Sequence, residues 1–292
     1  SNATASQLVD RLMVAMRAGD AAGQTRWAEL AVRRFAKNIE VLDLAASVAY
    51  DGGDFETAIS HLETIYKTAP QRLGTLGRLS AAVNRFRGAA ESDSDKMERY
   101  RTVVDGLIAR AATDDIPARF VVAVAMYYDA RFDDAITALD ALRQAAKHEA
   151  RIYIYLAMSH HWLGHADKAK ELSKIAIEVD PNDPDVYYCR SKIMRTDDPL
   201  LAIADLKRYL ERIQAPGALA FADKVSRVKA DLAALDRGET PPDWDRPTAP
   251  SAWLSPGGMP RLDRTVPIII CVLMVFGIIY LRRRRKTPDE TS

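Results

Sequence analysis

The chain has 292 residues, of which 48% are hydrophobic and 28% charged, and its formal net charge is +1. This composition supports one large or two small folded domains and excludes wholesale disorder. A near-neutral chain also lacks the basic face that nucleic-acid-binding proteins use to neutralise phosphates. Its two cysteines, Cys189 and Cys271, are too few for a disulfide scaffold.

The N-terminal residues 1–3, Ser-Asn-Ala, resemble the scar left when a purification tag is removed, and they are excluded from the fold prediction. The next residue is Thr4 rather than Met, so we expect the natural sequence to begin upstream. Whether a signal peptide precedes Thr4 stays open.

Residues 4–237 are predicted to form an all-α solenoid of antiparallel helix pairs. No sustained period-2 pattern occurs, whereas Ala, Leu, Arg and Glu recur at helical spacing between short Gly, Asp and Pro turns. In the clearest unit, Gly164 permits a tight turn, Ala169 and Ala176 allow close helix approach, and Pro181 ends the second helix. This spacing resembles the tetratricopeptide repeat, a helix–turn–helix unit of about 34 residues.

The same frame recurs along the body. The alanines at the turn between helices are Ala58, Ala135, Ala169 and Ala202, and the last two intervals match one repeat. The longer first interval predicts a degenerate unit with an insertion near residues 89–95. A weaker opening pair spans 6–37 and a closing helix spans 221–236, so we expect five or six helix pairs. Because each pair cannot bury its apolar faces alone, the pairs must stack.

Residues 238–265 form a proline-rich linker with six prolines. Proline stops helices and favours extended polyproline II, so the linker is predicted to give the body reach. Its two tryptophans, Trp244 and Trp253, have two open interpretations. They are anchors at a membrane interface, or they pack back on the body.

Residues 266–281 are predicted to be a single transmembrane helix. They contain no charge, span about 24 Å as a helix, and are followed by five cations at 282–286, which open a basic tail of residues 282–292. Positive charge on this side predicts a cytoplasmic tail and a body outside the cytoplasm. The alternative is a tail-anchored protein with a cytosolic body.

No catalytic residue, metal ligand or cofactor is predicted. The sequence has neither a phosphate-binding Gly-x-x-x-x-Gly-Lys loop nor a Gly-x-Ser-x-Gly elbow. His161 and His165 would share a helix face only if one helix continued through Gly164, which is predicted to lie in a turn. An enzyme or metal-binding protein that uses His160, His161 and His165 remains an alternative.

The resemblance implies that the first helix of each pair lines a concave groove that binds an extended peptide or a partner helix. Projecting the repeat frame gives the following candidate groove residues: Tyr50, Phe120, Val124, Tyr127, Tyr128, Ile154, Met158, His161, Trp162, Tyr188, Lys192 and Arg195. Members that bind chaperone tails clamp a carboxylate with basic and polar residues on these helices. Here Asp43, Phe120, Ile154 and Tyr188 occupy the corresponding positions, which argues against carboxylate clamping.

The sequence therefore predicts a non-enzymatic, membrane-tethered scaffold that binds a protein or peptide partner within an envelope or membrane-associated complex. Nucleic acid is not an expected partner. A tail-anchored cytosolic adaptor is the first alternative, and the histidine-based protein described above is the second.

Overall fold

The computed structural model describes residues 3–214 and 222–247, and within these ranges the chain forms thirteen α-helices and no β-strand. The helices are α1 Ala5–Ala18, α2 Ala21–Arg34, α3 Ile39–Asp51, α4 Phe55–Thr68, α5 Thr75–Ala90, α6 Ser94–Ala111, α7 Ile116–Tyr128, α8 Phe132–Arg143, α9 Ala150–Trp162, α10 Ala166–Val179, α11 Pro184–Met194, α12 Pro199–Arg212 and α13 Ala222–Asp236. Short turns join α1–α12 into six hairpins, each packed on the next, and α13 packs on α12. The predicted all-α solenoid is thereby confirmed for the described residues.

The hairpin turns follow from local sequence chemistry. Gly19, Gly53 and Gly164 have φ values of 66°, 79° and 79°, a left-handed conformation that glycine adopts without a side-chain clash. The side chains of Asp54 and Asp198 then cap the helices that follow, by accepting hydrogen bonds from backbone N–H groups of the first turn. These devices end one helix and start the next within a few residues.

Alanine at the turns allows the two helices of a pair to approach closely. Ala58, Ala135, Ala169 and Ala202 are all 0% exposed. A larger side chain at these positions would push the helices apart, because protein interiors are close-packed.

The predicted insertion lies in the third pair. Helices α5 and α6 have 16 and 18 residues, whereas α9 and α10 have 13 and 14. The extra length is therefore distributed over both helices, and the turn between them falls at residues 91–93.

The predicted membrane span and basic tail lie outside the described residues, as does the second half of the linker with Trp253. In the part of the chain that the structure describes, no helix has the length and apolar character needed to cross a bilayer.

Candidate functional site

The first helices of successive pairs line an open groove of about 460 Å³ on one side of the solenoid. Helix α5 contributes small, polar and basic side chains, α7 and α9 contribute aromatic and apolar ones together with Arg151, and α11 and α13 contribute charged ones together with Tyr188 and Cys189. The lining of the groove includes Gly77, Asn84, Tyr127, Tyr128, Arg151, Ile154, Tyr155, Met158, Asp185, Tyr188, Lys224 and Asp245.

Five predicted groove residues line this groove, namely Tyr127, Tyr128, Ile154, Met158 and Tyr188. Three tyrosines form its aromatic wall, with the ring of Tyr155 lying 5.2 Å from that of Tyr127 and 6.2 Å from that of Tyr128. The edge-to-face geometry keeps these rings rigid, so the wall offers a preformed apolar contact surface with hydroxyl groups.

The prediction that Phe120 and Val124 face the groove is wrong, because both side chains are 0% exposed and lie in the core. They share a face of α7 with Tyr127 and Tyr128 but lie one to two turns nearer the start of the helix, where this face is buried in the core. Tyr50 also does not line the groove. It lies at the end of α3 and packs edge-on against Phe55, with a ring distance of 5.7 Å.

The remaining predicted residues, His161, Trp162, Lys192 and Arg195, lie where the chain after α13 returns to the body. We call residues 241–246 of this segment the strap. Arg195 donates a hydrogen bond of 2.9 Å to the carbonyl of Pro241 and forms an ion pair with Asp243.

Three further contacts hold the strap. The Lys192 ammonium lies 2.9 Å from an Asp245 carboxylate oxygen, the Trp244 indole N–H donates a 3.0 Å hydrogen bond to Asp231 of α13, and the Arg246 guanidinium lies 5.5 Å from the Trp162 ring centre. The start of the predicted linker is thus packed on the body rather than extended from it. For Trp244, the structure favours the interpretation of packing back on the body.

Beneath the groove, an ion network that sequence reasoning missed connects α9, α11 and α13. Arg151 of α9 lies 2.7 Å from Asp183 and pairs with Asp185 of α11, which also pairs with Lys224 of α13. Burial alone would raise the pKa of Asp185, but the Arg151 and Lys224 cations outweigh it and hold that pKa well below its usual range. The sequence did contain one indication of this network, because Arg151 and Asp185 carry opposite charges and are 34 residues, or one repeat, apart.

Close packing of α5 against this network depends on Gly77. A Cβ atom at that position would lie 2.8 Å from the Arg151 Cγ, in the stem of the side chain. Glycine therefore lets α5 approach the arginine, and the network forms the floor of the groove instead of a solvent-filled gap.

Glu149, immediately before α9, is a second buried charge that sequence reasoning did not identify. It is 2% exposed and accepts a 3.4 Å hydrogen bond from the backbone N–H of Leu76 in α5. Burial raises the pKa of Glu149 to about 7, although Arg151 partly opposes the shift.

His160, His161 and His165 do not form a single cluster. The Nδ1 atoms of His160 and His165 lie 3.1 Å apart at the α9–α10 turn, whereas the His161 ring packs on Trp162. Helix α9 ends at Trp162, before Gly164, so the helix does not continue to His165. In the described ranges no group of three metal-ligating side chains is present.

The fold and groove define an α-solenoid of stacked helical hairpins with a concave cleft. Residues 127–193, from the end of α7 into α11, match the family model of the tetratricopeptide repeat, which confirms the predicted resemblance over that stretch. A comparison with curated proteins found no match.

Among solved structures, similar folds occur in several tetratricopeptide repeat proteins. One from Parabacteroides merdae is 16% identical with a TM-score of 0.48, covering 80% of this chain and 84% of that one. A thermophilic TPR protein from Thermus thermophilus is 15% identical with a TM-score of 0.43, covering 80% and 100%. The TPR2AB domain of yeast Sti1, in complex with pHSP90, is 17% identical with a TM-score of 0.33, covering 80% and 96%. At these sequence identities the similarity concerns the fold alone, and the partners of those proteins are not assigned to this chain.

Proposed function

We propose that this protein is a non-enzymatic scaffold that binds an extended segment of a protein partner in the groove between α5 and α13. The observation that carries the proposal is the groove itself, which runs across the first helices of four pairs and α13 and combines a tyrosine wall with charged and amide groups. Rigid aromatic area gives affinity at low entropic cost, and convergent polar groups orient a bound chain.

The groove is suited to a peptide rather than a small compact ligand. It is open, and each contributing helix adds a few side chains along its length. Solenoids bind in this way because each repeat presents its own part of a continuous concave surface.

A peptide library displayed on phage, selected against the full chain, tests this function. Selected peptides are expected to bind the unaltered chain and to lose at least tenfold in affinity when Asn84 and Tyr128 are both replaced with Ala, a loss typical of hot-spot residues. Asn84 is exposed and Tyr128 half-buried, so the pair can be truncated with little change in helicity. Replacing Tyr127 and Trp162 would be less informative, because the Trp162 indole donates a 3.0 Å hydrogen bond to the Tyr127 hydroxyl and the pair also holds α7 to α9.

The matched control is Leu200→Ala, which truncates a side chain that is 78% exposed on the outer helix α12. This variant is expected to bind the selected peptides as tightly as the unaltered chain, with fluorescence anisotropy as the readout. No enrichment of peptides, or equal losses in both variants, would contradict peptide binding in the groove.

We further propose that the scaffold is tethered to a membrane by residues 266–281, with the basic residues 282–286 on the cytoplasmic side. The uncharged run and the five cations that follow it support this part of the proposal. A tether raises the effective concentration of the body near other membrane components without any new contact.

Fractionation and protease accessibility in cells test the tether. The full reading frame, with its natural upstream region, is expected to remain with membranes after alkaline extraction. Replacing Leu273 and Met274 with Arg should release it, since each charge at mid-bilayer costs about 3 kcal/mol. External protease should shed the body, whereas protection until lysis would favour the tail-anchored cytosolic adaptor.

A further inference from the structure

The strap borders the groove, whose lining includes Asp245, and charge pairing holds it there. Lys192 of α11 and Arg195, which directly follows this helix, face Asp243 and Asp245 of the strap, and Lys192 also lies 4.0 Å from Asp231 of α13. Without the strap, these two cations would face one carboxylate of the rest of the described chain, that of Asp231. The surface under the strap is therefore a cationic site, and residues 241–246 supply the negative charge that neutralises it.

Lys192 makes this site unusual, because its side chain is only 2% exposed. A buried ammonium group is costly unless it is paired. Among the residues that the structure describes, three carboxylates lie within 4 Å of it, and two of these, Asp243 and Asp245, belong to the strap. With the strap released, Asp231 at 4.0 Å remains beside Lys192, and an acidic group of a partner would restore the closer pairing that Asp245 provides at 2.9 Å.

The hydrogen bonding between the strap and the body is nevertheless incomplete. Lys192 Nζ and Asp245 Oδ1 are close enough to pair, but each is buried and has no hydrogen-bond partner of good geometry among the residues that the structure describes. The Trp244 side chain remains 54% exposed although its N–H is bonded. Unmade hydrogen bonds and exposed apolar area lower the cost of local opening.

We propose that the strap is an internal ligand that occupies the Lys192–Arg195 site in cis. The partner that displaces it carries an extended acidic segment with an aromatic residue between two carboxylates, as in Asp243-Trp244-Asp245. This inference deepens the proposed function and rests on it. It identifies the partner by the chemistry of the segment that the site already holds, and it makes the strap a competitor that any such partner must displace.

The loss in affinity that the strap causes for a competing peptide can be calculated. A segment joined by a short connection has an effective concentration of about 1 mM, so at an intrinsic Kd of about 0.1 mM it weakens a competing peptide roughly tenfold. Release of the strap should therefore raise the affinity for the competing peptide by the same roughly tenfold factor.

The test uses the full chain and a fluorescent peptide with the sequence of residues 241–247. The strap variant D243N/D245N is expected to bind this peptide at least tenfold more tightly than the unaltered chain, measured by anisotropy. A peptide with Asn in place of both Asp residues should bind neither protein. The matched control is Glu239→Gln, which neutralises a nearby carboxylate that pairs with Arg237 instead of the site and should leave the affinity unchanged.

Two receptor measurements complete the test. Replacing Lys192 and Arg195 with Met in the strap variant should abolish binding of the peptide, with circular dichroism used to verify the helices. Chymotrypsin should cleave after Trp244 at least tenfold faster in the D243N/D245N protein than in the Glu239→Gln control, since cleavage requires local opening.

The outcomes separate the two proposals. If library peptides bind the groove but the strap variant does not bind the acidic peptide, the internal-ligand inference is overturned while the proposed function stands. Equal affinity of the acidic peptide for the unaltered chain and the strap variant would also overturn it. If no peptide of either kind binds, the proposed function itself fails.

Discussion

Replacing Arg151 with Met is expected to lower the free energy of unfolding by about 3–5 kcal/mol, the usual effect of removing one partner from a buried ion pair. Arg151 is 20% exposed and pairs with both Asp183 and Asp185, which are 7% and 18% exposed. Its loss leaves Lys224 as the one remaining cation of the network for these two carboxylates. Urea unfolding followed by circular dichroism measures the change.

The control for this variant is Arg131→Met, which breaks an ion pair with Asp134 whose side chains are 48% and 54% exposed. Exposed pairs contribute about 0–1 kcal/mol, so this substitution should be nearly neutral. If both arginine variants unfold at similar urea concentrations, the network under the groove does not stabilise the fold.

Replacing Glu149 with Gln is expected to stabilise the protein above pH 7. The pKa of Glu149 is about 7 in the folded chain, against an ordinary value of 4.5, so the folded state holds a proton between these pH values that the unfolded state has released. The contribution of Glu149 to the free energy of unfolding is therefore greatest below pH 4.5 and falls as the pH rises towards 7. The shift corresponds to about 3 kcal/mol, which is the upper limit of the expected gain at pH 8.

Unfolding at pH 5 and pH 8 distinguishes this effect from a general change in packing. The stability difference between Glu149→Gln and the unaltered chain should grow in favour of the variant across this interval. Glu91→Gln, at a side chain that is 63% exposed, should show no such change. A difference for Glu149→Gln that is independent of pH would mean that burial does not shift this carboxyl group.

The turns of the solenoid were predictable because their causes are local. Gly53 and Gly164 adopt left-handed backbone conformations within a single turn, and Ala58 and Ala169, five residues after these glycines, are fully buried. Such features depend on residues only a few positions apart, so spacing in the sequence is enough to locate them.

The burial of the side chains along α7 was less predictable. The repeat frame selected Phe120 and Val124 together with Tyr127 and Tyr128, yet the first two are buried in the core. In a solenoid the first helix packs on its own partner and on both neighbouring repeats, so apolar residues occur on nearly all of its faces. Hydrophobic periodicity then cannot distinguish a groove wall from a core contact.

The sequence by itself determined the helical hairpins and the positions of most of their turns, because short-range steric and capping effects specify them. Only the tertiary structure decided which first-helix side chains meet in the groove. It also decided that Asp243 and Asp245 return to Lys192, about fifty residues earlier in the chain. That contact depends on the curvature accumulated over successive pairs and on long-range charge pairing, neither of which leaves a periodic signal in the sequence.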